Sequence, residues 1–281
     1  MTIKIVTDST ADLPAKLVKE LDVVVVPVYL RFGEEVYRDR VDISEDEFYR
    51  KLLSDPTHPN TTQPTPQDFA SVYEKLSKDA DGIVSIHITS KLSGTYNSAV
   101  QGKKMVKNGC PIEIVDSQTV SIAIGLMVIQ ACKMAKSGRS LKQIVDGVGK
   151  MIPNVHLLIL FDTLKYLAKG GRIGKAKSML GSVLSIKPLL TVKGGELVPS
   201  SQVRTRLKGI DRLLDFAKNA TEIEDLAVLY STTPDEAQAL VERTSSIFSK
   251  ERTILARLGP GLGVHGGPGI LAVALREKGL L

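Results

Sequence analysis

Four short stretches of the chain carry side chains that could bind or transform a ligand. The first, Asp8-Ser9-Thr10-Ala11-Asp12, follows a β-branched run and hints at aspartyl phosphotransfer. Its acids, however, stand four residues apart instead of flanking one residue, and Asp12 more simply caps the next helix. In the second, Ser93-Gly94-Thr95, Ser93 is a natural N-cap between an apolar run and a helical pattern. A helix N-terminus offers free N–H groups and a positive dipole end to a carboxylate or phosphate; a cap without a ligand explains Ser93 about as well. The third, Thr61-Thr62-Gln63-Pro64, supplies hydroxyls in a proline-rich loop and alone means only a rigid turn. The fourth, Gly261-Leu262-Gly263-Val264-His265-Gly266, matches the G-x-G-x-x-G spacing formally. A strand-like stretch follows it where a dinucleotide loop needs a helix and an acid. It therefore reads as a glycine-rich turn, either purely structural or one that lets backbone and His265 approach something closely.

Other chemistries are disfavoured. Gly174-Lys175 lacks both the hydroxyl residue and the upstream glycine of a phosphate loop, and no G-x-S-x-G elbow occurs. His58, His87, His156 and His265 are scattered with no i, i+4 pair, so no metal site is expected. His87 and His156 lie inside strand patterns and read as core residues. Cys110 and Cys132 make neither a disulfide framework nor a C-x-x-C pair.

The elements that must hold these residues alternate between strand and helix. Strand patterns cover residues 3–7, 23–30, 82–88 and 112–115; helical patterns cover 14–21, 44–53, 94–106 and 122–136, with further helices opened by Thr65-Pro66 and by Ser140. Such alternation argues a parallel sheet covered on both faces, with ligands beyond the carboxyl ends of its strands. That rim would hold Asp8-Ser9-Thr10, residues 87–94 and Asp116-Ser117. Past Pro153 come a strand at 156–161, short basic helices to about residue 184, and a hairpin of 187–192 with 196–203 about Gly194-Gly195. Helix, strand, helix, strand then follow at 206–220, 226–231, 234–249 and 253–258, and a last strand at 270–275. The expected fold class is α/β with two domains: residues 1–153, an α/β/α layer with a parallel sheet, and residues 154–281, a smaller two-layer α/β domain whose mixed sheet carries helices on one face.

Composition narrows the class. Of 281 residues, 43% are hydrophobic and 24% charged, which excludes wholesale disorder. No apolar run approaches the ~20 residues of a membrane span, and residues 1–8 lack a signal-peptide apolar region. A cytoplasmic protein without stable membrane insertion is expected. The net charge is +6, yet residues 165–210 hold ten bases against the single acid Glu196, a local +9 that leaves −3 for the rest. This suggests one cationic face on an acidic body, or ordinary solvated lysines. Nucleic-acid binding is disfavoured because the basic cluster lacks interleaved aromatics and any known motif.

Read in order, Ile5–Pro14, Thr61–Pro64, Ser90–Ala99, Val115–Ser117, Lys169–Ile173, Lys187-Pro188, Val203–Thr205 and His265–Gly269 resemble the DegV family of bacterial lipid-binding proteins. Members of that family include the fatty-acid-binding subunits of a fatty acid kinase. The resemblance spans essentially the whole chain and implies the two domains above, with one long-chain fatty acid such as palmitate, stearate or oleate between them. It implies a carboxylate site at Thr61, Thr62, Ser93, Gly94, Thr95 and His265, and a basic region at Arg172, Arg204 and Arg206 facing a kinase partner. No catalytic residue and no cofactor beyond the bound lipid are implied. Thr62 stands where the family more often has Ser, which keeps a hydroxyl. Gly267 stands where Thr or Val is usual, which bears on packing beside His265.

The physics of such a ligand is consistent. Burying ~15 methylenes at roughly 0.8 kcal/mol each gives on the order of 12 kcal/mol, before association costs of about 4–15 kcal/mol. The aliphatic residues 122–134 could line one wall, or be an ordinary core helix. The carboxylate still needs donors, and the Thr61 and Ser93 hydroxyls with the Gly94 and Thr95 amides could supply three or four. Two readings stand: a carrier that presents its carboxylate to a kinase, and an enzyme, a phosphotransferase or hydrolase using Ser93 or Asp8.

Overall fold

The computed structural model describes residues 1–179 and 186–279. In chain order the N-terminal half runs β1 (Ile3–Asp8), α1 (Ala15–Leu21), β2 (Val24–Val26), β3 (Tyr29–Phe32), β4 (Glu35–Arg38), α2 (Glu45–Ser54) and β5 (Asn60–Thr62). It continues with α3 (Pro66–Leu76), β6 (Gly82–His87), α4 (Thr95–Met105), β7 (Ile112–Asp116), α5 (Ile122–Lys136) and α6 (Leu141–Met151). The C-terminal half holds β8 (Val155–Leu160), α7 (Lys165–Lys169), β9 (Lys187–Lys193), β10 (Glu196–Val203), α8 (Arg206–Lys218) and β11 (Ile223–Tyr230). It ends with α9 (Pro234–Thr244), β12 (Ile254–Arg257), α10 (Pro260–Gly266) and β13 (Leu271–Glu277).

The expected α/β class is observed. A four-stranded parallel sheet has the order β2-β1-β6-β7, and a six-stranded mixed sheet the order β10-β9-β8-β13-β11-β12. Local signals set the helix starts. Thr65 and Asp68 form a capping box with Pro66 at the first position, Ser140 and Gln143 form another, and Ser44 accepts from the Glu47 N–H.

Side chains alternate along the strands between two cores. On the mixed sheet, Leu158, Leu160, Val228 and Val273 face α8 and α9, while Leu157, Ile159, Leu229 and Ala272 face the other way. That second face is not bare, as helices on one face alone would leave it. It is covered by α5, which also packs on β1 and β6 of the parallel sheet. Helix α5 is apolar all round from Ile122 to Ile129, with ten of its fifteen residues buried, and a stretch of that kind must be enclosed. The two halves thus share one continuous core.

Three expectations need correction. Residues 23–30 are not one strand: Pro27, which has no N–H to donate, separates β2 from β3, and the two enter different sheets. β3 pairs with β4 and β5 in a small antiparallel sheet, so Thr61-Thr62 lies in a strand opposite Leu30 and Tyr29, not in a loop. The glycine-rich segment 261–266 is a helix, α10, in place of a turn. The basic helices expected up to residue 184 correspond to α7 and a 3-10 turn at Gly174–Met179; the remainder falls outside the described residues.

A shared core predicts cooperative unfolding. Leu126→Ala in α5, fully buried, should cost about 2–5 kcal/mol and shift one transition in urea. Fluorescence and circular dichroism midpoints that separate in the wild type would contradict a common core.

Candidate functional site

Between the two halves, an apolar cavity of about 210 Å³ opens beyond the carboxyl ends of β1 and β6. Its walls come from both sides of the seam: Val28, Ile88, Leu92 and Val120 from the N-terminal half, and Ile159, Phe161, Leu197, Leu229, Leu258 and Ile270 from the C-terminal half. Two hydroxyls interrupt the wall, and both turn their protons outward. Thr10 Oγ1 donates to Asp8, and Ser121 Oγ donates to Asp12 Oδ2 at 2.5 Å. Residues 122–134 do not line the cavity; α5 is an enclosed core helix, because its residues are consumed by contacts to both sheets.

Polar groups gather at one end: Thr61, Thr62, Gln63, Ser93, Arg172 and His265. His265 Nε2 lies 2.8 Å from Thr61 Oγ1. Its Nδ1 is buried without a partner, against the backbone of Gly170. A buried N–H without a partner costs more than a ring lone pair without one, which assigns the ring proton to Nε2, makes Thr61 Oγ1 its acceptor and leaves the threonine's own proton for a ligand. Burial first, then Arg172 and His58, push His265 down to about 4, so the ring is neutral near pH 7. His58 lies tilted against Tyr166, with ring centroids 5.9 Å apart, and its pKa is lowered by burial and by Lys169 and Lys165. The mouth is therefore electropositive while its nearest donors are uncharged.

The other expected residues fall differently. Ser93 is not the cap of α4. Gly94 holds that position, and Ser93, one residue earlier, accepts from the Thr95 N–H at 3.2 Å and pairs with Thr95 Oγ1 at 2.8 Å. The Thr95 amide is thus used within the turn, Thr95 is buried, and neither Gly94 nor Thr95 lines the cavity. The side chain of Gln63 lies over Gly94 and donates to Ser98 Oγ at 3.2 Å. Nothing but its place beside Thr61-Thr62 marked Gln63 in the sequence. Arg172 is at the mouth, donating to Gly170 O at 2.9 Å and to Leu92 O at 3.4 Å. Arg204 is exposed and away from the cavity. Arg206 is not a free cation: it is ion-paired with Glu236 at 2.7 Å and Asp162 at 3.3 Å. Gly267 has φ +74°, and a β-carbon there would lie 2.2 Å from Tyr166, so a Thr or Val would displace that ring.

A second polar array comes from β1, β6 and α3. Tyr73 Oη donates to Ser85 Oγ at 2.8 Å, Ser85 Oγ lies 2.7 Å from His87 Nε2, and His87 Nδ1 lies 2.9 Å from Asp8 Oδ2. The order resembles a hydrolase triad. All four residues are fully buried, no described cavity reaches Ser85 or His87, and both Asp8 oxygens are engaged, by Thr10 and by His87 and the Ile88 N–H. The array is a structural network, as expected of His87. His156 departs from that expectation: its side chain is 41% exposed and lies 3.2 Å from Glu277.

Asp12, expected to cap α1, instead joins the halves. It is buried, with φ +50°, accepts from Gly259 N at 2.8 Å and lies 3.3 Å from Arg40. Beside it Asp39 is 1% exposed, faced by Ser9 and the Gly261 N–H but with neither oxygen in hydrogen-bond geometry. Burial, opposed by Arg40, raises Asp12 to about 6 and Asp39 to about 7. Among the described residues no three His, Cys, Asp or Glu side chains converge as a metal site, and no helix is long and apolar enough to cross a membrane.

Comparison with known proteins matches residues 2–278 to the family described as "Uncharacterised protein, DegV family". The chain is 37% identical over 280 residues to a DegV domain-containing protein of Caldanaerobacter subterraneus, covering 98% of this chain and 99% of that one. It is similar to a solved fatty-acid-binding DegV family protein from Thermus thermophilus, with TM-score 0.91, 33% identity and coverage of 99% and 100%. A fatty acid (stearic acid)-binding protein from Eubacterium ventriosum matches with TM-score 0.89, 27% identity and 98% of both chains.

The buried acids give a pH test. A carboxyl raised in the folded state costs stability above its folded pKa, and the cost fades as pH falls toward the unfolded value. Asp39→Asn should therefore stabilise the protein by about 1–3 kcal/mol at pH 8, with the gain shrinking through pH 7 to near zero at pH 4. Denaturant titrations at those three values measure it; a gain that grows toward acid would reverse the assignment.

Proposed function

Because the chain belongs to the DegV family, we propose that it binds one long-chain fatty acid of the palmitate, stearate or oleate class and presents the carboxylate to a partner kinase. The carrying observation is an apolar cavity whose polar residues cluster at one end, with uncharged donors and an electropositive mouth. The acyl chain fills the apolar part. The carboxylate accepts from Thr61 Oγ1, itself held by neutral His265, and from Ser93 Oγ, while Arg172 contributes positive potential. Thr62 and Gln63 close the rim. The ligand lies between units 1–153 and 154–281, so both halves must be folded together for binding. No cofactor takes part, and the protein acts as a substrate carrier in the cytoplasm.

Among the described residues Ser93 has no histidine or lysine as a hydrogen-bond partner, which supports a binding role over a nucleophilic one. In the kinase reading, exposed Arg204 with Lys165 and Lys169 forms the cationic docking face, and steering by that face fades with salt. Arg206, held by two acids, contributes local structure in place of free charge.

Two measurements check this. Mass spectrometry of solvent extracts should find a fatty acid in the purified protein, and Ser93→Ala and Thr61→Ala should each weaken palmitate binding by roughly 1.5–3 kcal/mol. A protein that stays empty with palmitate and oleate would sink the reading. Separately, Arg204→Glu should leave lipid affinity intact yet cripple acyl-phosphate formation with a cognate kinase; full phosphorylation at low salt would place docking elsewhere.

A further inference from the structure

The helix that carries His265 cannot hold its own position. α10 has seven residues, three of them glycine, and its N-cap, Gly259, supplies no side-chain acceptor. Each glycine costs about 1 kcal/mol relative to alanine, and isolated helices below ~12 residues are marginal at best. What seats the helix must grip it from outside.

The grip lies at the N-terminal end of α10 and comes from the other half of the chain. Asp12 Oδ1 accepts from Gly259 N at 2.8 Å. Arg40 donates to Arg257 O at 2.7 Å and is itself fixed by Glu45 at 2.9 Å and Asp12 at 3.3 Å. Tyr49 Oη donates to Leu258 O at 3.1 Å. Asp39 packs so closely that a β-carbon on Gly261 would lie 2.7 Å from its Oδ2. Asp12, Arg40 and Ser121, which donates to Asp12, have φ of +50°, +58° and +59°. Non-glycine residues persist in that region only where their surroundings over-determine them. None of Asp12, Asp39 and Arg40 lines the apolar cavity.

We propose that Asp12, Asp39 and Arg40 are positioning residues for the head-group end of the cavity: they clamp residues 257–261 and so aim His265 at Thr61. The ligand half of this inference rests on the fatty-acid reading. Gly259 and His265 are six residues apart, about 9 Å along a helix at 1.5 Å per residue. Fewer than two helical turns separate the clamp from the imidazole, so a shift at the one reaches the other directly. The clamp thereby acts on Thr61 without touching the lipid.

The test pairs a ligand-free readout with a binding measurement. In ligand-free protein labelled with 15N-histidine, with His265 assigned through His265→Gln, the wild-type ring should show one neutral Nε2–H tautomer. Asp12→Ala should turn it into a tautomer mixture, Asp12→Asn should restore most of the single form, and Arg40→Met, should Asp12→Ala not fold, should repeat the loss. Palmitate affinity by calorimetry should fall roughly ten-fold in Asp12→Ala, about one hydrogen bond to a charged group. In a His265→Ala background the same substitution should add little, because its effect runs through the ring. An unchanged tautomer in Asp12→Ala and Arg40→Met overturns the clamp, as does a full ten-fold loss that persists without His265. A wild type that binds no palmitate removes the fatty-acid reading, while the nuclear magnetic resonance arm still decides the clamp.

Discussion

Helix α5 imposes the constraint on which the rest of the molecule depends. Residues 122–129 of this helix are buried on every side, so its first two turns can leave no face to water and two sheets must close over them. The parallel sheet covers one side and the mixed sheet the other. Their mutual orientation is therefore fixed by apolar burial, and the seam beyond the ends of β1 and β6 is its geometric by-product. The cavity occupies that seam, at the place where parallel α/β sheets ordinarily receive ligands.

Once the sheets are set, a few polar contacts hold the seam in register. His265 to Thr61 joins residues 204 positions apart, and Asp12 to Gly259 joins residues 247 apart. Their electrostatic characters differ. His265 is kept neutral by burial and by cations at the mouth, so it works as a hydrogen-bond donor and not as a charge. Asp12 and Asp39 are acids in a place that penalises their charge, offset in part by Arg40. The apolar cavity and its hydroxyl-lined end are thus supported from behind by a strained and costly cluster.

The Ser85–His87–Asp8 array shows why geometry alone does not make an active site. Its distances are those of a working triad, but the serine is fully buried and already receives the tyrosine proton. Without access for a substrate the same hydrogen bonds serve to satisfy polar side chains that two parallel strands place in the core.

Much was legible in the residues themselves. Apolar periodicity, proline and cap residues determine the strand–helix alternation, the helix starts at Ser44, Thr65 and Ser140, the Gly194-Gly195 hairpin and the cationic segment, because these are local properties of the backbone and side chains. The ordered motifs pointed to Thr61, Ser93 and His265 through family resemblance. Tertiary structure alone decided where they sit and what they touch. The break at Pro27 and the pairing of Asn60–Thr62 with β3 depend on sheet partners far away in sequence. A glycine-rich segment became a helix because Asp12, Arg40 and Tyr49 grip it, overriding its weak intrinsic preference. Whether Asp12 caps a helix or bridges two halves, and whether Arg206 is free or paired, is settled by neighbours dozens to hundreds of residues distant. Burial and long-range pairing are collective quantities, and no local stretch of sequence contains them.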